Sequence, residues 1–137
     1  MSNFIKSYQA NVGLNHVPAY QVSGQPYCIG TLDGTTGTPV KIEFPYVTRW
    51  VHIINHDNNE LTCSFSQAGL SGDNHFKIHA THGSNEGDYP PRLELKVSEM
   101  WFTGSADFDV IAGLTSIPAS RTTTDSGPSW SGSAGVG

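Results

Sequence analysis

The feature that most constrains the fold of this chain is a set of short runs in which every second residue is apolar. In one of them, Val40, Ile42 and Phe44 alternate with Lys41 and Glu43. A period of two places successive side chains on opposite faces of a β-strand, so each run predicts a strand with one buried face. Such runs cover residues 40–44, 48–55, 61–65, 76–80, 93–97 and 108–112.

Turn-forming residues such as Asp33-Gly34 and Gly104-Ser105 separate these runs, and no window longer than one turn shows the 3.6-residue period of a helix. About eight or nine short strands at this spacing predict a β-sandwich or barrel, and 137 residues suit one domain. We therefore expect an all-β fold, a single eight-stranded jelly-roll sandwich with extended N- and C-terminal arms. The strand at residues 48–55 is apolar on both faces, so we expect it in the middle of a sheet or beneath another layer.

Three zones predict the domain organisation. Residues 1–19 form an N-terminal arm, residues 20–118 hold nearly all of the apolar periodicity and form the jelly-roll domain, and residues 119–137 form a tail rich in Gly, Ser and Thr. The tail offers too little apolar surface to offset the entropy lost on ordering it. Trp130 has no core of its own within this tail, so we predict that it docks in a pocket of another molecule.

Charged residues make up only 14% of the chain, and the formal net charge is −5. This composition disfavours a helical bundle, a coiled coil and a highly charged disordered chain. Nucleic acid is not an expected partner, because neutralising phosphates takes clustered Lys and Arg. No run of about 18–20 apolar residues predicts a membrane span. Cys28 and Cys63 are too few for a disulfide framework and no secretory signal is evident, so we expect a reducing cytoplasm and two buried thiols.

Five histidines within a short span raise the hypothesis of a metal site. His75 and His79 would share one face of a helix, but the alternation of Phe76 and Ile78 favours a strand, on which four residues span roughly 13 Å. Two ligands that far apart cannot reach one ion, so we expect surface histidines and neither a metal nor another cofactor. The five histidines are His52, His56, His75, His79 and His82.

No pattern for nucleophilic catalysis is present. Ser66 lacks the first Gly of a Gly-x-Ser-x-Gly turn, and we expect no helix after it. Cys63 lies in the middle of a predicted strand with its thiol pointing inward, where it would be inert. Asp107 and Asp109 share one strand face without an oxygen-rich loop, which is typical of solvated carboxylates and not of a calcium site. We predict no catalytic residue, and hence a protein that is not an enzyme.

Aromatic side chains are the stronger candidates for function. They can serve as stacking platforms for sugar rings, but aromatic residues more often pack in a core or against another subunit, and we favour that second role. The aromatic candidates are Tyr46, Trp50, Tyr89, Trp101 and Trp130. The residues that we predict to form an interface are Trp130, Trp50, Tyr46 and Arg49.

Several segments spread over the predicted strands carry a resemblance to a known family. Two of them are Tyr-Gln-Val-Ser-Gly-Gln-Pro-Tyr at residues 20–27 and Ile-Glu-Phe-Pro-Tyr-Val-Thr-Arg at residues 42–49. The others are residues 53–56, 65–66, 74–76, 95–101 and 112–118. Taken in this order, they resemble the single-jelly-roll penton (vertex) capsid proteins of large icosahedral DNA viruses with double-jelly-roll major capsid proteins. The tail after Arg121 has no counterpart in the resemblance.

The resemblance implies a structural virion protein: an upright jelly roll that assembles as a homopentamer at the capsid vertex. Its implied partners are the major capsid protein and other capsid subunits, and assembly would take place in the host cell cytoplasm. A low charged fraction suits lateral contacts between identical neighbours, which would otherwise repel one another. We expect residues 1–19 and 122–137 to dock on neighbouring subunits.

Three other functions stay open. A phage head-decoration or fibre-anchoring protein has a similar sequence character. A carbohydrate-binding β-sandwich module would stack a sugar on Trp50 or Trp101. A cupin-like metalloenzyme shares the jelly-roll scaffold, but cupins carry their ligands in a His-x-His arrangement that this sequence lacks.

Overall fold

The computed structural model describes residues 24–79, 90–125 and 127–128, together with Leu14, Val17 and Pro18. The predictions for the rest of the N-terminal arm, for His82 and Tyr89 and for residues 129–137 with Trp130 lie outside these residues. The elements in chain order are β1 (Gln25–Leu32), β2 (Val40–Glu43), β3 (Tyr46–Asn55), β4 (Leu61–Ser64), α1 (Gln67–Ser71), β5 (His75–Ile78), β6 (Glu99–Thr103), β7 (Phe108–Pro118), a 3-10 turn (Ala119–Arg121), β8 (Thr123–Thr124) and β9 (Gly127–Pro128).

Two antiparallel sheets make up most of the described chain. The first has the strand order β1-β7-β3 and the second the order β2-β6-β4-β5, while β8 and β9 form a separate short pair. The predicted all-β character is therefore confirmed, and the two sheets have the arrangement of a sandwich.

Side chains from both sheets meet in one core. The rings of Phe102 in β6 and Phe108 in β7 have their centroids 5.1 Å apart, and Tyr27 of β1 meets Phe44, just after β2, edge to face at 5.0 Å. These contacts place β7 over β6 and β1 over β2. The alternation seen in the sequence supplies the other buried residues, because every second side chain of each strand turns inward. Among them are Ile42, Val51, Ile53, Leu61, Cys63, Ile78, Met100 and Val110.

Residues 93–97, predicted as a strand, lie along the outer edge of β3 without forming a regular ladder. One isolated bridge joins Leu93 to Val51. Further along, the side-chain hydroxyl of Thr48 donates to the carbonyl of Leu95 at 2.8 Å and accepts from the backbone N–H of Val97 at 3.1 Å. A side chain thus replaces part of the backbone pairing. β3 has β7 on one side and this segment on the other, while β7 is the middle strand of the three-stranded sheet.

The helix α1 corrects the expectation that no helix follows Ser66. Ser66 is the N-cap of α1, and its buried Oγ accepts a hydrogen bond from the backbone N–H of Gly69 at 3.1 Å. A helix of five residues is too short to show a hydrophobic period, so the capping serine was the only local signal for it. The hydroxyl that sequence analysis compared with a nucleophile serves here as a cap.

The hydroxyl of Thr115 bridges β3 and β7 near the start of β3. The pairing of these strands shifts between Tyr46 and Thr48, where β7 contributes extra residues. At this point the buried Thr115 donates to the carbonyl of Val47 at 2.6 Å and accepts from the N–H of Ile117 at 3.2 Å. The hydroxyl therefore satisfies two backbone groups that the shifted ladder leaves without strand partners.

Thr115→Val should lower the free energy of unfolding by about 1–3 kcal/mol, because it leaves a buried carbonyl and a buried N–H without this hydroxyl. Thr115→Ser keeps the hydroxyl and is the matched control. Urea unfolding of both variants measures the difference. Equal losses for Val and Ser would contradict a role for the hydroxyl.

Candidate functional site

Three of the four residues predicted to form an interface lie on β3. Tyr46, Arg49 and Trp50 are each half-buried, and Trp130 lies outside the described residues. Because these three residues are partly exposed on one strand, the outer side of β3 is the candidate contact surface.

A bulge in β3 turns two consecutive side chains outward. Thr48 lies opposite Leu114 and Trp50 lies opposite Gly113, which are adjacent in β7. Arg49 is therefore the extra residue of a bulge in β3. The alternation breaks there: the two residues before Arg49 are buried, whereas Arg49 and Trp50 are both half-buried. A bulge of this kind re-aims side chains, and here it leaves two consecutive residues, Arg49 and Trp50, both partly exposed.

Trp50 is in contact with a second arginine. The guanidinium carbon of Arg92 lies 5.4 Å from the centroid of the Trp50 ring, a cation–π geometry. Arg92 also forms an ion pair with Glu94, with 2.7 Å between Nη2 and Oε1. We call Arg49, Trp50 and Arg92 the Trp50 patch. It combines an aromatic plane with two positive charges in a chain whose net charge is negative.

Trp101, the other tryptophan candidate on a described strand, belongs to the opposite sheet. Its Nε1 donates to Glu99 at 3.3 Å, and the ammonium of Lys41 lies 5.4 Å from its ring centroid. Lys41 in turn pairs with Glu99 at 3.1 Å and with Glu43. Trp50 and Trp101 therefore cannot form one sugar-stacking platform, because they lie in different sheets and each carries a cation from its own chain.

The histidines that the structure describes are dispersed over separate elements. His75 begins β5, so His75 and His79 do not share a helical face. Each of three ring nitrogens has its own partner: His56 contacts the carboxylate of Asp109 at 2.7 Å, His75 the carbonyl of Gly72 at 2.9 Å, and His79 the carboxylate of Glu60 at 3.1 Å. Within the described residues, no group of three or more His, Cys, Asp and Glu side chains could hold a metal ion.

The carboxylate of Asp109 accepts a hydrogen bond from a backbone bulge in β1. Its Oδ1 accepts from the N–H of Thr31 at 2.9 Å, and its Oδ2 contacts His56. Thr31 has a φ of 54°, and a Cβ at Gly30 would lie 2.8 Å from the Asp109 carboxylate, which would have to move from its present position. Burial raises the pKa of Asp109, but the Thr31 N–H and His56 outweigh it and the net pKa is lowered. The contacts of Asp109 with Thr31 and His56 could not be predicted from sequence, because two carboxylates on one strand face are typical of solvated residues.

A buried polar network joins the β3–β4 loop to the β6–β7 loop. The hydroxyl of Ser105 donates to Asn55 at 2.8 Å, and the amide of Asn55 donates to the carbonyl of Asn59 at 2.8 Å. Across the same junction, the carboxylate of Asp57 accepts from the backbone N–H of Ala106 at 2.8 Å. In the described part of the chain, every buried side-chain nitrogen and oxygen has a hydrogen-bond partner. The network positions loops and contains no nucleophile–base pair.

The two cysteines differ in exposure. Cys63 is buried as predicted, and burial raises the pKa of its thiol, so it is unreactive. Cys28 is exposed, which makes the prediction of a second buried thiol wrong. The reason is alternation: Tyr27 and Ile29 pack against the core from β1, and the residue between them must face outward.

Comparison with known protein families, with curated proteins and with solved structures finds no match to this chain. Of the helices that the structure describes, none has the length and apolar character needed to cross a bilayer.

Asp57→Asn should destabilise the fold near neutral pH, and its difference from the wild type should shrink as the pH falls below about 4. The N–H of Ala106, with the side chain of Asn59 and the N–H of Asn58, lowers the pKa of Asp57 in the folded chain. Its stabilisation is therefore present above the unfolded-state pKa and is lost as the pH falls through the folded-state value.

Urea unfolding between pH 7 and pH 2 measures this dependence. Asp125→Asn removes an exposed carboxylate elsewhere and is the control. A loss in Asp57→Asn that stays constant over the whole pH range would contradict the assignment.

Proposed function

We propose that this chain is a structural virion protein, a penton-type capsid subunit that assembles as a homopentamer at icosahedral vertices. The proposal includes the finer fold, an eight-stranded jelly roll, and the major capsid protein as a neighbour. The observation that carries it is the order of the strands, taken together with the sequence resemblance over residues 20–118.

The strand order supports a jelly roll when residues 93–97 are counted as the eighth strand. The first sheet then has the order β1-β7-β3-(93–97) and faces β2-β6-β4-β5. Four strands face four, the first strand lies beside the last, and most connections cross from one sheet to the other. Jelly rolls of two such sheets are the usual fold of viral capsid domains, although they also occur in lectins and cupins. Fold alone does not define function, and the sequence resemblance is what favours a capsid protein among these.

The Trp50 patch supports a protein that acts by contact. A half-buried indole flanked by two arginines has the composition found at the energetic centre of interfaces, where Trp and Arg are enriched. Tyr46, at the start of the same strand, extends this surface.

The C-terminal tail starts from a fixed point on the body. The buried hydroxyl of Thr122 donates to the hydroxyl of Ser98 at 2.6 Å, and Pro128 is buried. Residues 129–137 follow from there, and they include Trp130. Sequence analysis predicted docking by residues 122–137, but Thr122 and Pro128 pack on this chain's own body. We therefore propose that residues 129–137, together with residues 1–19, dock on neighbouring capsid subunits.

Deleting residues 129–137 should reduce the amount of this chain in purified virus particles while leaving the sandwich folded, because the deletion spares Thr122, β8 and β9. Trp130→Ala should reproduce most of the loss if the indole is the anchor. Quantitative mass spectrometry of particles measures incorporation, and the melting temperature of the purified variant reports folding.

Val136→Ala, a small apolar truncation in the same segment, is the matched control and should be incorporated like the wild type. Full incorporation of the deletion variant would contradict docking by the tail. Absence of the wild-type chain from particles would contradict the virion assignment itself.

A further inference from the structure

The sandwich has two lateral edges, each made of two stacked strands. β1 and β2 lie together on one side, since Tyr27 and Phe44 meet there at 5.0 Å. On the other side, residues 93–97 lie outside β3, and β5 is the last strand of its sheet. A hydrogen bond of 3.4 Å from the amide of Asn55, in β3, to the carbonyl of Ile78 links these two layers. We call the two sides the β1–β2 edge and the β5 edge.

The β1–β2 edge is acidic. Glu43 in β2 is strongly exposed, with 71% of its side chain accessible, and Asp33 directly follows β1. Two carboxylates of the adjacent strands bond directly to the edge strands: Glu99 to Lys41 and Asp109 to the N–H of Thr31. Lys41 pairs with both Glu43 and Glu99, and Asp109 also contacts His56. The charged residues of the described edge are Asp33, Lys41 and Glu43, with Glu99 of β6 and Asp109 of β7 on the neighbouring strands.

The β5 edge is basic. Lys77 in β5 and Arg92, just before residues 93–97, have 51% and 54% of their side chains exposed. Lys96 lies in the same segment, where its ammonium donates to the carbonyl of Leu14 at 3.2 Å, and Arg49 belongs to the adjoining Trp50 patch. Among the described residues of this edge, Glu60 and Glu94 are the acidic ones, paired with Lys77 and Arg92 respectively. The described part of the edge is therefore predominantly positive, in a chain with a net charge of −5.

We propose that the partner of each edge is the opposite edge of a second copy of this chain. The β1–β2 edge of one copy docks on the β5 edge of the next, with the Trp50 patch in or beside the contact. A contact between two like edges would bring like charges together, whereas contact between unlike edges is attractive over the roughly 10 Å range of screened charges. A head-to-tail contact of this kind is the one that a cyclic ring requires, because every copy uses both of its edges.

This inference rests on the proposed function only for the number of copies in the ring. The edge pairing itself follows from the charges and the topology. Within the described residues, β1, β2 and β5 each pair with a strand on one side only, and the proposed contact would cover the other side, which otherwise is a site of uncontrolled association.

Sedimentation velocity over a range of protein and salt concentrations tests the pairing. The wild type should associate reversibly, and association should weaken as salt rises. Glu43→Lys and Arg92→Glu should each weaken association by about tenfold, because each places like charges across the contact. Asp125→Lys makes the same change in net charge as Glu43→Lys but lies outside both edges, and it should associate like the wild type. Circular dichroism and melting temperatures verify that all three variants fold.

Mixing the two edge variants tests the head-to-tail geometry. Glu43→Lys keeps an intact β5 edge and Arg92→Glu keeps an intact β1–β2 edge, so an equimolar mixture should associate more strongly than either variant alone. In the wild type, a zero-length carbodiimide should join Glu43 or Asp33 of one copy to Lys77 or Lys96 of another. Cross-links between like edges, or no recovery on mixing, would overturn the proposal.

The outcomes separate this inference from the proposed function. A wild-type chain that stays monomeric at every concentration overturns the edge pairing, even if it is incorporated at vertices through its contacts with the shell. Salt-sensitive rings in solution, together with absence from virus particles, would support the edge pairing and remove the vertex assignment.

Discussion

The structure depends on one strand, β7, and on the contacts that it makes in three directions. β7 pairs with β1 on one side and with β3 on the other, and its inward side chains pack against the second sheet. Phe108 meets Phe102 across the interior, and Val110 and Ala112 are fully buried behind it. Apolar burial between the two sheets is the main stabilising force in a fold of this kind. The side chains on the outer surfaces therefore contribute less to the stability of the fold. They are available for contacts with other chains.

Most of the sheet structure could be predicted from sequence because the signal for it is local. Alternation placed Val51, Ile53 and Val110 in the core, and it placed His75 in a strand, which separates it from His79. The same rule, applied to both neighbours of Cys28, would have predicted its exposure. The failure there lay in assuming that a free thiol is buried, not in the pattern itself.

What could not be predicted depends on partners far away in the chain. The Arg49 bulge breaks a local alternation in β3, and the pairing shift beside it is held by Thr115, 68 residues beyond its partner Val47. Thr31 adopts a positive φ beside a carboxylate that lies 78 residues away. Residues 93–97 alternate like a strand, but the Thr48 hydroxyl takes over part of their pairing. Such arrangements have no signature in a short window of sequence.

In the candidate site, too, the features with a local sequence signal could be predicted, and those that depend on distant residues could not. Sequence analysis identified Tyr46, Arg49 and Trp50 as contact residues, and their role in an interface stays a prediction. The cation–π contact of Arg92 with Trp50 could not be predicted from sequence, because the two residues lie on different segments. The distribution of charge over the edges needed the sheet order as well.

Electron cryo-microscopy of purified virus particles, averaged about the fivefold vertices, tests the central claim most directly. The account predicts that density at each vertex is filled by five upright copies of this two-sheet body. Density built from a different chain, or copies of this chain spread over the faces of the shell, would contradict it.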